Sequence, residues 1–236
     1  MKPGDNMVAT EKPRPDTATL KNIFIVDNQP LIRRGIRQLF ESEQWLSICG
    51  ESQNAKGTPQ AIKQCSPDLV ILDISLPDGS GLELIKRIHA IAPNLPILVS
   101  SMHDERLLAE RALQAGALGY VSKQEALEHL VGAVKKVLGG KIYLSEAMTD
   151  RLLLQRYANF EAGIAPSPIS TLTNRELEVF EQIGGGCSTL QIAEHLNLSV
   201  KTIETHRAHL KEKLNLASSA ELTRYAMQWS LQSTIE

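Results

Sequence analysis

Between Leu20 and about Gly140 the chain alternates short apolar runs with stretches in which apolar residues recur every three or four positions. The runs are Ile23-Phe24-Ile25-Val26, a weaker Leu46-Ser47-Ile48-Cys49, Leu69-Val70-Ile71-Leu72, Ile97-Leu98-Val99 and a short Gly119-Tyr120-Val121. Continuous apolar runs of this length suit strands of a parallel sheet covered on both faces. The stretches between and after them, roughly 30–42, 54–64, 80–91, 104–115 and 125–138, read as helices. In the third, Leu82, Leu84/Ile85, Ile88 and Ile91 keep helical spacing. Five strand–helix repeats predict an open, doubly wound sheet, and Gly139-Gly140 closes the last helix of the series. An amphipathic stretch over about 145–160 follows, then the Gly/Pro/Ser-rich segment 163–168, which has the chemistry of a linker.

From Leu172 onward only helices are legible, each with a start signal. Thr173 with Glu176, Ser188 with Gln191 and Ser218 with Glu221 have the spacing of capping boxes. Ser199 can cap a further helix, with Leu198 and Ile203 as its hydrophobic staple. Over 199–214 a rotation of 100° per residue brings Val200, Ile203, Leu210 and Leu214 within about 80° of one another, which predicts a buried face. The opposite face carries Lys201, Glu204, Thr205, Ala208 and Glu212, with His209 at its edge; His206 and Arg207 flank the apolar stripe. Gly184–Gly186 reads as a helix terminus and not as a phosphate-binding loop, because no Lys-Ser/Thr follows it.

Composition adds bounds. A length of 236 residues fits one or two domains, and 42% hydrophobic with 22% charged residues is ordinary for a globular chain. No apolar run is long enough to span a membrane. Residues 1–19 are polar, hold three prolines and lack an apolar core, so they read as a disordered lead-in and not a secretory signal. Cys49, Cys65 and Cys187 are few and far apart, which argues against a disulfide framework or a zinc site and for buried thiols in a reducing cytoplasm. His89, His103, His129 and His195 show no metal spacing and read as ordinary surface or partly buried residues. The net charge of −2 does not by itself point to nucleic acid. Residues 199–214 carry +2 within a C-terminal portion, from Ser170 on, that carries −2, so the electrostatic case for DNA rests on that one helix.

The strand ends carry the candidate chemistry. The first strand ends in Asp27-Asn28, the third in Asp73, the fourth runs into Ser100-Ser101, and Lys123 follows the fifth. A doubly wound sheet brings these ends to one edge, where ligands bind in such folds. A carboxylate there can act as a nucleophile, a hard divalent ion held by oxygens can neutralise phosphate charge, and an ammonium and a hydroxyl can hold the product's oxygens.

The segments Val26-Asp27-Asn28-Gln29-Pro30, Ile71–Gly81 (ILDISLPDGSG), Ser101-Met102-His103-Asp104 and Gly116–Lys123 (GALGYVSK) resemble the receiver domain of response regulators over about residues 20–140. The resemblance implies that Asp73 becomes the aspartyl phosphate and that Asp27, Asn28, Asp73 and the backbone carbonyl of Ser75 hold one Mg²⁺. It also implies Ser101 as the switch hydroxyl, Tyr120 as the switch aromatic and Lys123 as the phosphate-pairing lysine. Asn28 departs from the family, which carries a second acid there that ligates the metal directly; an uncharged amide predicts weaker Mg²⁺ binding and slower phosphorylation. Gln124 is a second departure, from which nothing follows.

Leu172-Thr173-x-Arg175-Glu176, the segment from Gly186 to Leu196, the segment from Leu198 to Arg207, and Lys213-Leu214 resemble the LuxR-type helix-turn-helix over about residues 170–230. By that resemblance 188–196 is the positioning helix and 199–214 the recognition helix. Lys201, Glu204, Thr205 and Ala208 would face the groove, with Thr189, Arg207, His209 and Lys211 as phosphate contacts.

Together the two halves resemble a NarL/FixJ-type two-component response regulator. The implied architecture is a flavodoxin-like α/β receiver with a doubly wound five-stranded parallel sheet, plus a small all-α helix-turn-helix domain. Its boundaries are a lead-in over 1–19, a receiver over 20–140, a linker with one helix over 141–170 and the DNA-binding domain over 171–236. The implied protein is a cytoplasmic transcription factor and not an enzyme. Its implied partners are a sensor histidine kinase, double-stranded DNA, RNA polymerase and a second copy of itself, with no membrane. On the last helix, Leu222, Tyr225, Ala226 and Trp229 fit either a dimer seam or the domain's own core. Two rivals stand beside this reading. One is a phosphate-independent receiver that works through protein contacts. The other is an Asp-nucleophile phosphatase, against which Ser75 speaks, since no second acid lies two residues beyond Asp73.

Overall fold

The computed structural model describes residues 20–103, 105–123, 127–162, 168–196 and 198–235. The expected lead-in over 1–19, Gln124 and the linker residues 163–167 lie outside them. The chain runs β1 (Lys21–Val26), α1 (Pro30–Glu41), β2 (Leu46–Ser52), α2 (Thr58–Cys65), β3 (Leu69–Leu72), a small hairpin β4 (Ser75–Leu76) and β5 (Gly79–Ser80), α3 (Gly81–Ile91), β6 (Ile97–Ser101), α4 (Glu105–Ala115), β7 (Gly119–Ser122) and α5 (Leu127–Leu138). A helix α6 (Glu146–Ala162) leads to a short 3-10 turn (Pro168–Thr171) and then α7 (Asn174–Gly184), α8 (Thr189–His195), α9 (Val200–Lys213) and α10 (Ser219–Ile235).

The five long strands form one parallel sheet in the order β2-β1-β3-β6-β7. Alternation along β1 sorts the core into two layers. Ile23 and Ile25 pack with Ile36 and Phe40 of α1 and with Val134 and Val137 of α5. Phe24 and Val26 face Ile62 of α2, Leu84 and Ile88 of α3, and Leu108 and Ala112 of α4. The second layer runs on through Ile169 and Leu172 into the C-terminal helices, where Leu177, Phe180, Ile192, Ile203, Leu210 and Leu222 are buried.

Most differences from the sequence reading are local. The second helix starts at Thr58 and not near 54, because Gly57 takes φ +84°, which interrupts a right-handed turn. Val200 is 39% exposed although it shares the apolar stripe of Ile203 and Leu210. It is the first residue of α9 and so projects beyond the end of the packed face. The boxes at Thr173/Glu176 and Ser188/Gln191 form in full. At Ser218 only half of the box is present: Glu221 N–H donates to Ser218 Oγ, but the Glu221 carboxylate accepts from Ala217 N–H instead. The last helix turns Leu222 and Ala226 into its own domain's core, and Tyr225 and Trp229 set their rings against Phe180 at 5.9 and 6.0 Å.

Candidate functional site

The sheet brings Asp27, Asp73, Ser101 and Lys123 together at the carboxyl ends of β1, β3, β6 and β7. Asp73 follows β3 directly, and its N–H donates to Val26 O at 2.8 Å, which fixes it beside Asp27. Both carboxylates are 2% exposed. The ammonium of Lys123 sits between them, 2.7 Å from Asp27 Oδ2 and 2.6 Å from Asp73 Oδ2. Lys123 is held in turn by its N–H, which donates to Ser101 O at 2.8 Å. The other oxygen of Asp73 accepts from Ser75 N–H at 3.1 Å, and Asp27 Oδ1 accepts from Gln29 N–H at 2.8 Å. Burial pushes the Asp73 carboxyl above the usual carboxylate range; Lys123 opposes the shift and Asp27 adds to it.

The close approach of α3 holds the Asp73 loop. A Cβ on Gly81 would stand 2.6 Å from Asp73 O and 2.5 Å from Ile74 Cα, so only glycine fits. Across the site, Asp78 accepts from Ala55 and Lys56 N–H at 2.6 and 2.7 Å and ties the hairpin to the loop after β2.

Asn28 sits beside Asp27 with its side-chain Oδ1 buried and without a hydrogen-bond partner among the described residues. An oxygen acceptor left without a donor next to two carboxylates is what an oxygen-ligated divalent cation would complete. The donor set therefore fits a hard cation, with one amide in place of an acid.

Ser101 is fully buried, and its Oγ accepts from His103 N–H at 3.2 Å. Tyr120 is turned inward and donates to His103 O at 2.8 Å; burial raises its phenol far above the ordinary value. Sequence reasoning treated His103 as an ordinary histidine. It is 7% exposed, its Nε2 meets Ser75 Oγ at 2.6 Å, and its Nδ1 is paired with the Glu181 carboxylate of α7. Burial works to lower its pKa, but the hydrogen bond and charge of Glu181, with Glu178 and Asp73 behind it, raise it above the ordinary imidazole value. Its place two residues past Ser101, at the same strand end, was the available signal. Arg33 was missed too: it reaches from α1 to donate to Asp27 O at 2.6 Å and to Glu51 at 3.1 Å, closing the edge of the site.

In the C-terminal helices Ser199 caps α9, accepting from Thr202 N–H at 3.0 Å. Lys201, Glu204, Thr205, Ala208 and His209 are exposed along α9, and Arg207, Lys211 and Thr189 are half-buried. Ion pairs and hydrogen bonds from the start of α7 tie α8 and α9 to it. Lys213 Nζ lies 2.6 Å from Glu176 of α7, and Arg175 donates to the end of α8 at Leu196 O, 2.8 Å away.

Residues 23–135 match the response regulator receiver domain, and residues 170–226 match the bacterial regulatory proteins of the luxR family. The response regulator UvrY of Escherichia coli is 31% identical over 210 residues, covering 89% of this chain and 95% of its own. The chain belongs to the response regulators with a LuxR-type DNA-binding domain. This response regulator also resembles the oxygen regulatory protein NreC of Staphylococcus carnosus, at 33% identity over 212 residues, covering 89% of this chain and 98% of that one. Among solved structures, RcsB of Salmonella enterica bound to a promoter with a phosphomimetic aligns over 89% of this regulator and 99% of that chain, at 26% identity and a TM-score of 0.58. The relatives are transcription regulators, in line with the expectation of a regulator and not an enzyme. Among the described residues no helix is long and apolar enough to cross a membrane.

Proposed function

We propose that a sensor histidine kinase phosphorylates Asp73 and that the phosphorylated regulator acts in the cytoplasm as a homodimer on double-stranded DNA, controlling transcription with RNA polymerase. The observation that carries this reading is the buried Lys123 ammonium bridging Asp27 and Asp73 at the ends of the sheet strands. The receiver spans 20–140 and the DNA-binding domain 171–236, joined by 141–170, with 1–19 as a lead-in.

Asp73 supplies the nucleophilic oxygen. One Mg²⁺ would be held by Asp27, Asn28, Asp73 and the Ser75 carbonyl, and when bound it neutralises phosphoryl charge. The orphaned Asn28 oxygen supports that set; its missing charge weakens the affinity. Lys123, which bridges two carboxylates, turns to the phosphoryl oxygens. Phosphorylation adds roughly two negative charges. Ser101 then shifts toward them, and Tyr120, tied to the same loop through His103, moves with it. That change shifts the population toward the form that dimerises and binds DNA.

On DNA, α9 enters the major groove with Lys201, Glu204, Thr205 and Ala208 facing bases, and Thr189, Arg207, His209 and Lys211 reach the phosphates. The exposure of the first four supports this orientation. The test is a gel shift on genomic fragments with and without acetyl phosphate, for wild type and Asp73→Asn. Acetyl phosphate should tighten binding of the wild type alone. Equal binding of both chains under all conditions would instead favour the phosphate-independent receiver.

A further inference from the structure

We propose that Glu181, in the DNA-binding domain, is a positioning residue for the phosphorylation site, acting through His103. The inference rests on Asp73 being the phosphoacceptor.

His103 is the point where the two domains meet the chemistry. A carboxylate can only accept, so His103 Nδ1 carries the proton it shares with Glu181 Oε2. The opposite ring nitrogen meets Ser75 Oγ at 2.6 Å. The backbone of His103 is held as well, its N–H by Ser101 and its carbonyl by Tyr120. Every polar group of this residue is therefore committed, and three of its four partners belong to the switch or to the loop behind Asp73. Ser75 is gripped from both sides. Its N–H donates to Asp73 Oδ1 at 3.1 Å, and its hydroxyl meets the imidazole.

The loops after β3 and β6 come from neighbouring strands, so Ser75 and His103 bridge the two sides of the phosphoacceptor site. With Lys123 on Oδ2 and Ser75 N–H on Oδ1, each oxygen of Asp73 is held by one partner in this form. Attack on a phosphoryl donor requires the Asp73 loop to shift, and the Ser75–His103 bridge resists that shift. Glu181 stiffens it, because a buried imidazole paired with a carboxylate loses its freedom to swing.

A second anchor keeps Glu181 in place. Arg111 of α4 donates to Asn174 Oδ1 at 3.0 Å and to Ile169 O at 3.3 Å, and Leu172 closes the cleft beside Leu82 and Ala115. This dock leaves the outer face of α9 open: Lys201, Glu204, Thr205 and Ala208 stay exposed. The contact therefore does not act by covering the DNA-reading face. It acts on the phosphoacceptor, and by linkage phosphorylation weakens the Glu181–His103 pair to the same extent that undocking favours the phosphorylated state.

The test uses the full chain and acetyl phosphate with Mg²⁺. Glu181→Gln keeps the side chain's size but removes its charge; Asn174→Ala opens the dock at its other anchor. Both should bind beryllofluoride with Mg²⁺ more tightly, by roughly five- to tenfold for Glu181→Gln, the low end of coupling between sites, and both should label faster. In a His103→Ala background neither change should alter the rate. The downfield proton on His103 Nδ1, read by NMR of wild type, should vanish in Glu181→Gln and on adding beryllofluoride. Unchanged rates in both variants, or an equal acceleration when His103 is absent, would overturn the proposal while leaving Asp73 as phosphoacceptor. Absence of labelling in every chain would overturn both.

Discussion

Removing Lys123 tests the electrostatics of the site most sharply. Its ammonium contacts Asp27 Oδ2 at 2.7 Å and Asp73 Oδ2 at 2.6 Å, so the two carboxylate oxygens are at most 5.3 Å apart. In Lys123→Met two buried carboxylates face each other with no cation between them, and they either repel or take up a proton between them. At an effective dielectric of 20 their repulsion is about 3 kcal/mol at that distance. Breaking a buried charge cluster by removing one partner costs about 3–5 kcal/mol, in the same range. We expect Lys123→Met to lower receiver stability by about 3 kcal/mol at pH 7 without Mg²⁺. Adding Asp73→Asn to it should restore most of the loss, because one of the two charges is gone. The assay is urea unfolding followed by Trp45 fluorescence in a Trp229→Phe background, so that only the N-terminal domain is seen. Mg²⁺ should stabilise Lys123→Met more than wild type. A loss below about 1 kcal/mol, or no recovery on adding Asp73→Asn, would refute the bridging role.

Three further outcomes are expected. Burial opposes the charge of Glu176, but Lys213 and Thr173 outweigh it and hold its carboxyl below the ordinary value of 4.5. Its stabilisation of the C-terminal domain is thus complete above that pH and fades as pH falls through the lowered value, while Glu176→Gln should lose about 2 kcal/mol at pH 7 and flatten that acid limb in thermal melts. Gly81→Ala should cost about 2 kcal/mol by overpacking against Ile74 and slow acetyl-phosphate labelling, since the Asp73 loop must move; a wild-type rate and melting temperature would count against the close approach. Asn28→Asp should tighten Mg²⁺ roughly tenfold by adding a charged ligand, read as the Mg²⁺ dependence of labelling, and equal affinities would show that residue 28 does not touch the metal.

The sheet was legible in the sequence because its strands are buried on both faces and so read as unbroken apolar runs, Leu69–Leu72 most clearly. The strand ends then placed Asp27, Asp73, Ser101 and Lys123 by topology alone. Sites made by long-range packing were not legible. His103 is paired with Glu181, 78 positions away, and no local spacing marks such a pair. Arg33 was hidden because it looks like one of several charges on an exposed helix. Val200 shows the limit of periodicity, which assigns a residue to a face but not to a packed length of that face. The last helix shows the same limit: its apolar stripe fitted a seam or a core, and the stripe divides, with Leu222 and Ala226 buried in the core and Tyr225 and Trp229 half-buried beside Phe180.

Intact-mass spectrometry reads directly whether Asp73 carries the phosphoryl group. After incubation with acetyl phosphate and Mg²⁺, wild type should gain the mass of a single phosphoryl group, lost again under alkaline hydroxylamine, and Asp73→Asn should gain nothing. A wild type that stays unlabelled at saturating Mg²⁺, or an Asp73→Asn chain that labels equally, would contradict Asp73 as the phosphoacceptor.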